Sequence, residues 1–222
     1  SLVPRSLRFE VKERIAYDGS VVEPLDTAAL EQVAQLIAAT GVEAVAVCFL
    51  HSFKRADHEL QAKTILEQHL PHVTVCVSSE VMPEIGEYER TATTVCNAYV
   101  QPLFRKYIGG LIKGLKRMGI NRDLYLMQSD GGTVHSDTAI EYPIRLVQSG
   151  PAGGVQATSL IGRLAGSLDI LCFDMGGTTA KACLVDGGQP TVTTDFEVAR
   201  LQRFRKGSGI PLKLPAVDMI EI

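Results

Sequence analysis

Between residues 170 and 185 an acid, two glycines and two threonines separate two apolar runs: Ile170-Leu171-Cys172-Phe173, then Asp174-Met175-Gly176-Gly177-Thr178-Thr179, then Ala180-Lys181-Ala182-Cys183-Leu184-Val185. Residues of these types in this order can hold a phosphate. Gly176 and Gly177 can take backbone angles that aim consecutive N–H groups at one anion, and Thr178 and Thr179 add hydroxyls beside them. Asp174, at the exit of a buried strand, can orient a magnesium ion or a water. The apolar pattern resumes at once, so the glycines join strand to strand, unlike a Walker A loop, where Gly-Lys-Ser/Thr opens a helix. A plain hairpin, with Asp174 capping its own backbone as an Asx turn, fits the same residues.

Three further clusters carry reactive groups. Ser129-Asp130-Gly131-Gly132-Thr133 repeats the acid-Gly-Gly-Thr order after a short apolar run, and reads either as a ligand-facing loop or as an Asp-Gly hairpin turn. Residues 78–90, Ser-Ser-Glu-Val-Met-Pro-Glu-Ile-Gly-Glu-Tyr-Glu-Arg, place Glu87 and Arg90 among four carboxylates and a phenol between a strand end and a long helix. Such junctions often bind ligands in α/β sheets, although acids in a first helical turn also complement the helix dipole. His51, His58 and Glu59 fit no zinc spacing and read as a solvated loop and helix start. Cys48, Cys76, Cys96, Cys172 and Cys183 lack C-x-x-C spacing and read as reduced core residues of a cytoplasmic protein.

The elements that must position these groups follow from periodicity. Leu7 to Ile15 reads as extended, and Asp18-Gly19 as a turn before Val21-Val22. Asp26 caps a helix with Leu30, Val33, Leu36 and Ile37 on one face, ended by Gly41. Val42 to Leu50 is a continuous apolar strand, followed by a helix from Ala56 to Leu70 and a strand from Val73 to Val77. Glu87 to Met118 is the longest helical segment, with Leu103, Tyr107, Leu111, Leu115 and Met118 at helical spacing, and Pro102 starting a new helix or kinking a continuous one. Leu124 to Gln128 returns as a strand. From Ser149 a helix rich in small residues leads into the Asp174 strand, its small side chains permitting close backbone approach.

This alternation defines an α/β chain. Its 222 residues and net charge of −3 allow a sizeable core and offer no basic stripe for nucleic acid. No secretory leader stands out, and no uncharged apolar run approaches the roughly 20 residues of a membrane span. Residues 1–6, which include Leu-Val-Pro-Arg-Ser, carry little weight.

Helix, strand, D-x-G-G-T and strand in that order resemble the ATPase fold shared by actin, the large heat-shock chaperones and sugar kinases. Seven segments sharpen the resemblance: Glu10-Val11-Lys12-Glu13-Arg14, residues 46–53, residues 79–91, Asn97-Ala98-Tyr99, residues 127–132, Ser149-Gly150-Pro151-Ala152-Gly153-Gly154-Val155 and residues 173–179. In this order they resemble the hydantoinase A/5-oxoprolinase family over almost the whole chain. The resemblance implies an incomplete ribonuclease H-like, actin-like ATPase fold with parts of two lobes. Residues 1–145 would be the latter part of the first lobe, and 146–222 the interlobe helix and the start of the second with its phosphate hairpin. The chain would be a central segment, since the first D-x-G-G-T loop and the glycine-rich adenosine loop are absent.

The implied chemistry is ATP- and Mg2+-dependent opening of a five-membered cyclic amide, in which phosphorylation of the amide oxygen makes the carbon open to water. Asp174 would orient magnesium or water, Gly176, Gly177, Thr178 and Thr179 would hold phosphate, and Asp130, Glu87 and Arg90 would serve on the substrate side. The implied partners are the cyclic amide, a second hydantoinase subunit or fused domain, and further copies in an oligomeric parent, with neither nucleic acid nor membrane. Ketone carboxylase subunits share this nucleotide site and are the first alternative. A chaperone-like or regulatory ATPase is the second. Many members carry an acid three residues after Thr178, where this chain has Lys181, so an acid role does not transfer to that position.

Overall fold

The computed structural model describes residues 2–177, 179–202, 205 and 207–221. They form two compact units, Ser1–Lys106 with Glu197–Lys213 and Tyr107–Phe196 with Leu214–Ile222. In the first unit, β1 (Arg14–Ile15) and β2 (Val21–Glu23) pair antiparallel around a turn in which the Asp18 carboxylate accepts the Ser20 N–H at 2.9 Å. Helix α1 (Thr27–Ala38) starts where Asp26 accepts the Ala29 N–H at 2.9 Å, and it buries Leu30, Ala34 and Ile37. Leu36, expected on that face, is exposed instead. Strand β3 (Ala44–Val47), helix α2 (Asp57–His69) and strand β4 (Thr74–Val77) make a β-α-β unit with parallel pairing from Ala44–Thr74 to Val47–Val77. The core joins Leu30, Ala34, Val47, Leu66, Val75 and Val77.

β3 is shorter than the apolar run from Val42 to Leu50. The reason is chemical: the Phe49 N–H is bonded at 2.8 Å to the Glu59 carboxylate, and His51 takes a left-handed φ of 60° while its ring bonds the Ile15 carbonyl at 2.8 Å. After the single turn α3 (Ser78–Val81), helix α4 (Glu87–Arg117) runs continuously through Pro102. Pro102 removes one helical N–H bond. The helix nevertheless continues, with Asn97, Ala98, Gln101 and Ile108 buried on either side of it.

The second unit contains a hairpin of β5 (Tyr125–Met127) and β6 (Thr133–His135), the short α5 (Ser136–Glu141) and the 17-residue α6 (Ser149–Ala165). Beyond α6 lie β7 (Ile170–Met175), β8 (Ala180–Asp186), β9 (Gln189–Pro190), β10 (Val192–Val198), β11 (Ile210–Val217) and β12 (Ile220–Glu221). β8 is central, with β7 and β12 antiparallel on its two sides and β9 pairing with it; β10 and β11 form a separate ribbon. α6 lays Ala152 and Val155 on Cys172, Cys183, Val185 and Val217. Gly162 makes the contact close, since a Cβ there would collide with Ile170 and sit 2.7 Å from the Ser167 carbonyl. The opposite sheet face is open: Leu171 and Phe173, expected to be buried, are 62% and 56% exposed. Among the described residues no helix is long and apolar enough to cross a membrane.

Polar groups, not only apolar ones, fill the first unit. Glu59 and Arg90 are 0% and 1% exposed. Ser78 Oγ joins them, donating to Glu59 at 2.7 Å and accepting from Arg90 Nε at 3.1 Å, while Glu59 also accepts the Ser79 N–H at 2.7 Å. His58 is likewise inside, its Nδ1 2.8 Å from the buried Glu13 carboxylate. The expected solvated reading of His58 and Glu59 is therefore corrected: α2 turns both residues inward, where each finds a partner. The five cysteines are free thiols. Burial, reinforced by the Glu59 charge, pushes Cys48 up to about 12, and burial pushes Cys183 up to about 11.

Two substitutions test this packing. Glu59→Ala leaves the Phe49 and Ser79 amides buried without an acceptor and should cost about 3–5 kcal/mol, whereas Glu59→Gln keeps one acceptor and should cost about 1–3 kcal/mol, read by urea denaturation. Gly162→Ala forces α6 off β7 and should cost about 1–3 kcal/mol in the same experiment; an unchanged midpoint would contradict the close approach.

Candidate functional site

The Asp174 hairpin is built by the β7–β8 ladder, in which Asp174 stands opposite Lys181. Side chains alternate along a strand, so Asp174 shares the face of Cys172, the face that α6 covers. Gly176 donates its N–H to the Thr179 carbonyl at 3.0 Å and closes the turn. Among the described residues no acceptor engages the Gly177 amide, and no donor engages the exposed Asp174 carboxylate. Neither glycine has a left-handed φ, and a Cβ on either would meet no atom within 4 Å. The turn's own backbone thus does not require glycine at these positions, and the space above them is open. Thr179 is half-buried beside them, and Thr178 lies outside the described residues.

Lys181 occupies the middle of a charged row. Asp174 on β7 and Glu221 on β12 both stand opposite it, placing the two acids roughly 10 Å apart across three strands. Its Nζ donates to Gln148 Oε1 at 3.2 Å, immediately before α6 begins, and the Gln148 N–H is held by Ser129 Oγ at 3.0 Å. Reading the sequence alone misses Gln148 and Glu221, because only strand register and the start of α6 bring them to Lys181. Among the described residues no group of three or more His, Cys, Asp or Glu can hold a metal ion. Asp174 alone nevertheless suits magnesium, which keeps several waters and needs only one or two carboxylates.

The second acid-Gly-Gly-Thr segment differs in how its amides are used. Asp130 Oδ1 accepts the Gly132 N–H at 2.8 Å, and the Gly131 N–H bonds the Gln128 carbonyl at 3.1 Å. Gly131 has φ +88°, and Gln156 packs where its Cβ would be. This hairpin takes the Asx-turn form, with both glycine amides engaged inside it.

Within the first unit, Arg90 donates from Nη1 to the Glu84 carbonyl at 2.9 Å and from Nη2 to the Phe49 carbonyl at 3.0 Å, and its guanidinium lies 5.3 Å from the Phe53 ring centre. Its Nη2 also reaches Glu87 Oε1 at 3.4 Å. Arg90 is interior, and Glu87, 45% exposed, is the part of the pair that meets solvent. Burial acts to raise the Glu87 carboxyl, but its own backbone amide, the Arg90 guanidinium and His51 together hold it below the usual carboxylate range.

Comparison with known proteins agrees with these motifs. Residues 90–222 match the model of the hydantoinase/oxoprolinase family, and residues 1–70 match that of its N-terminal region. An uncharacterized protein of Methanocaldococcus jannaschii is 40% identical over 224 residues, covering 100% of this chain and 33% of its own. Caprolactamase subunit alpha of Pseudomonas jessenii is 35% identical over 95% of this chain and 30% of its own. The crystal structure of that organism's ATP-dependent caprolactamase superimposes with a TM-score of 0.85 at 32% identity, over 100% of this chain and 31% of the other. The nucleotide-free structure of acetone carboxylase gives a TM-score of 0.80 at 27% identity, over 96% and 29%. The chain spans about a third of the length of these relatives. With family-model matches over both its N-terminal and C-terminal parts, this chain belongs to the hydantoinase/oxoprolinase family.

Proposed function

We propose that the chain is the nucleotide-handling part of an ATP-dependent amidohydrolase that opens a five-membered cyclic amide. The observation that carries this reading is the Asp174 hairpin, in which, among the described residues, nothing engages the Gly177 amide or the Asp174 carboxylate, in a family with ATP-dependent members. In this reading the fold is the actin-like ATPase fold. Residues 1–145 belong to the latter part of one lobe, and residues 146–222 to the connecting helix and the start of the next.

The residues present fit a phosphate and a magnesium ion. The open cradle over Gly176 and Gly177 admits an anion, the Gly177 N–H and the threonine hydroxyls would hold it, and Lys181 and the start of α6 add positive potential. Asp174 would hold magnesium through its waters. Bound nucleotide would supply a phosphoryl group to the amide oxygen, which would open the carbonyl carbon to water so that the ring C–N bond breaks and its nitrogen takes up a proton. This chain's residues position and neutralise. Glu87 serves on the substrate side with Arg90 fixing its orientation, and Asp130 shapes the second hairpin.

A ketone carboxylase is the second reading, favoured by the TM-score of 0.80 to acetone carboxylase. Amide-dependent release of phosphate supports the hydrolase, and bicarbonate-dependent turnover of a ketone supports the carboxylase. In the complete protein Asp174→Ala should lower ATP turnover by about 10³-fold with the far-ultraviolet circular dichroism unchanged, because Asp174 is exposed. Asp130→Ala should change turnover only a few-fold. Equal turnover in wild type and Asp174→Ala would sink the assignment.

A further inference from the structure

Lys181 stands between two acids and bonds neither. Asp174 on β7 and Glu221 on β12 are its direct partners in the ladder, and side chains so placed start about 5 Å apart at Cβ, within reach of a lysine. The ammonium goes instead to a neutral acceptor, Gln148 Oε1, at 3.2 Å, and among the described residues it forms no ion pair. The side chain is half-buried. Helix α6 gives it no counter-charge, since the first turn carries no acid and the helix dipole puts positive potential at this end. A cation kept from the acids beside it is available to an anion that arrives from outside.

Gln148 can hold the lysine because its own backbone is fixed. Its N–H donates to Ser129 Oγ at 3.0 Å. Ser129 is buried and is tied at both of its main-chain polar groups, its N–H donating to the Arg145 carbonyl at 2.7 Å and its carbonyl accepting the Val217 N–H at 2.8 Å. The anchor thus joins the β5–β6 hairpin, the start of α6 and β11, and all of these residues lie within the second unit.

We propose that Gln148 is a positioning residue of the phosphate site, holding the Lys181 ammonium away from Asp174 and Glu221 so that it stays free to meet phosphate. Without the amide acceptor the ammonium would fall onto an opposing acid. Pairing with Asp174 would then remove both the cation and the carboxylate from the site. This role rests on the nucleotide reading of the Asp174 hairpin and adds to it the neighbour that keeps Lys181 available.

Titration calorimetry of the complete protein with MgATP tests this role. Lys181→Met should weaken binding about 10- to 100-fold and Gln148→Ala about three- to tenfold, with the far-ultraviolet circular dichroism unchanged, because Gln148→Ala keeps the N–H that Ser129 holds. Gln148→Glu preserves the side-chain shape but pairs the ammonium with a carboxylate, so it should weaken binding more than Gln148→Ala, and it decides the matter should Gln148→Ala fail to fold. Lys181→Met combined with Gln148→Ala should bind no more weakly than Lys181→Met alone, since Gln148 acts through Lys181; a merely structural Gln148 would give losses that multiply. Unchanged affinity in Lys181→Met or in the Gln148 variants, or multiplied losses in the double variant, would overturn the positioning role alone. A wild type that binds no ATP would overturn the nucleotide reading and this role with it.

Discussion

A carboxylate and a guanidinium, both removed from water, are joined in the first unit through one serine hydroxyl. Glu59 on α2 accepts from Ser78, and Ser78 accepts from Arg90 on α4. Each charge also fixes backbone, Glu59 through the Phe49 and Ser79 amides and Arg90 through the Phe49 and Glu84 carbonyls. Phe49 is thus held at both its N–H and its C=O by opposite charges. Buried ions of this kind cost several kcal/mol each unless their bonds are nearly all made, and here they are made largely to main chain. The relay consequently determines where β3 ends, how the chain enters α3 and how α4 begins, with Glu87 presented beside Arg90.

The second unit solves a different problem with small residues. Gly162 and Ala152 let α6 lie close on β7 and β8, and Ser159 and Arg163 on the same helix both bond the Gly188 carbonyl, at 2.6 and 2.8 Å. Helix, sheet and the following turn are therefore fixed together. That arrangement holds the β7–β8 ladder in register and keeps Asp174, Lys181 and Glu221 in one row. The two Gly-Gly hairpins of this unit differ in what their polar groups do: the Asp130 turn satisfies its own amides, whereas in the Asp174 turn, among the described residues, nothing engages the Asp174 carboxylate or the Gly177 amide.

Much of this organisation is legible in the sequence because it depends on local chemistry. Asp26 as a helix cap, the β-α-β order from Ala44 to Val77 and the strand, Gly-Gly and strand order around Asp174 all follow from spacing that a single segment carries. What escapes the sequence depends on contacts between distant segments. His58 and Glu59 look like surface polar residues until Glu13, Phe49, Ser78 and Ser79 are brought to them. Leu103 and Tyr107 show a helical spacing, but which side of α4 is buried becomes visible only from Thr94, Asn97 and Ile108. The meaning of Lys181 depends on Gln148 and Glu221, which lie 33 residues before it and 40 after it.

The site reading depends on the difference between the two hairpins, and amide hydrogen exchange measures that difference directly. With MgATP added to the complete protein, the segment 173–182 should gain protection as its amides take up phosphate, while the self-satisfied segment 128–134 should exchange unchanged. Protection confined to 128–134, or no change in 173–182 at saturating nucleotide, would contradict the account.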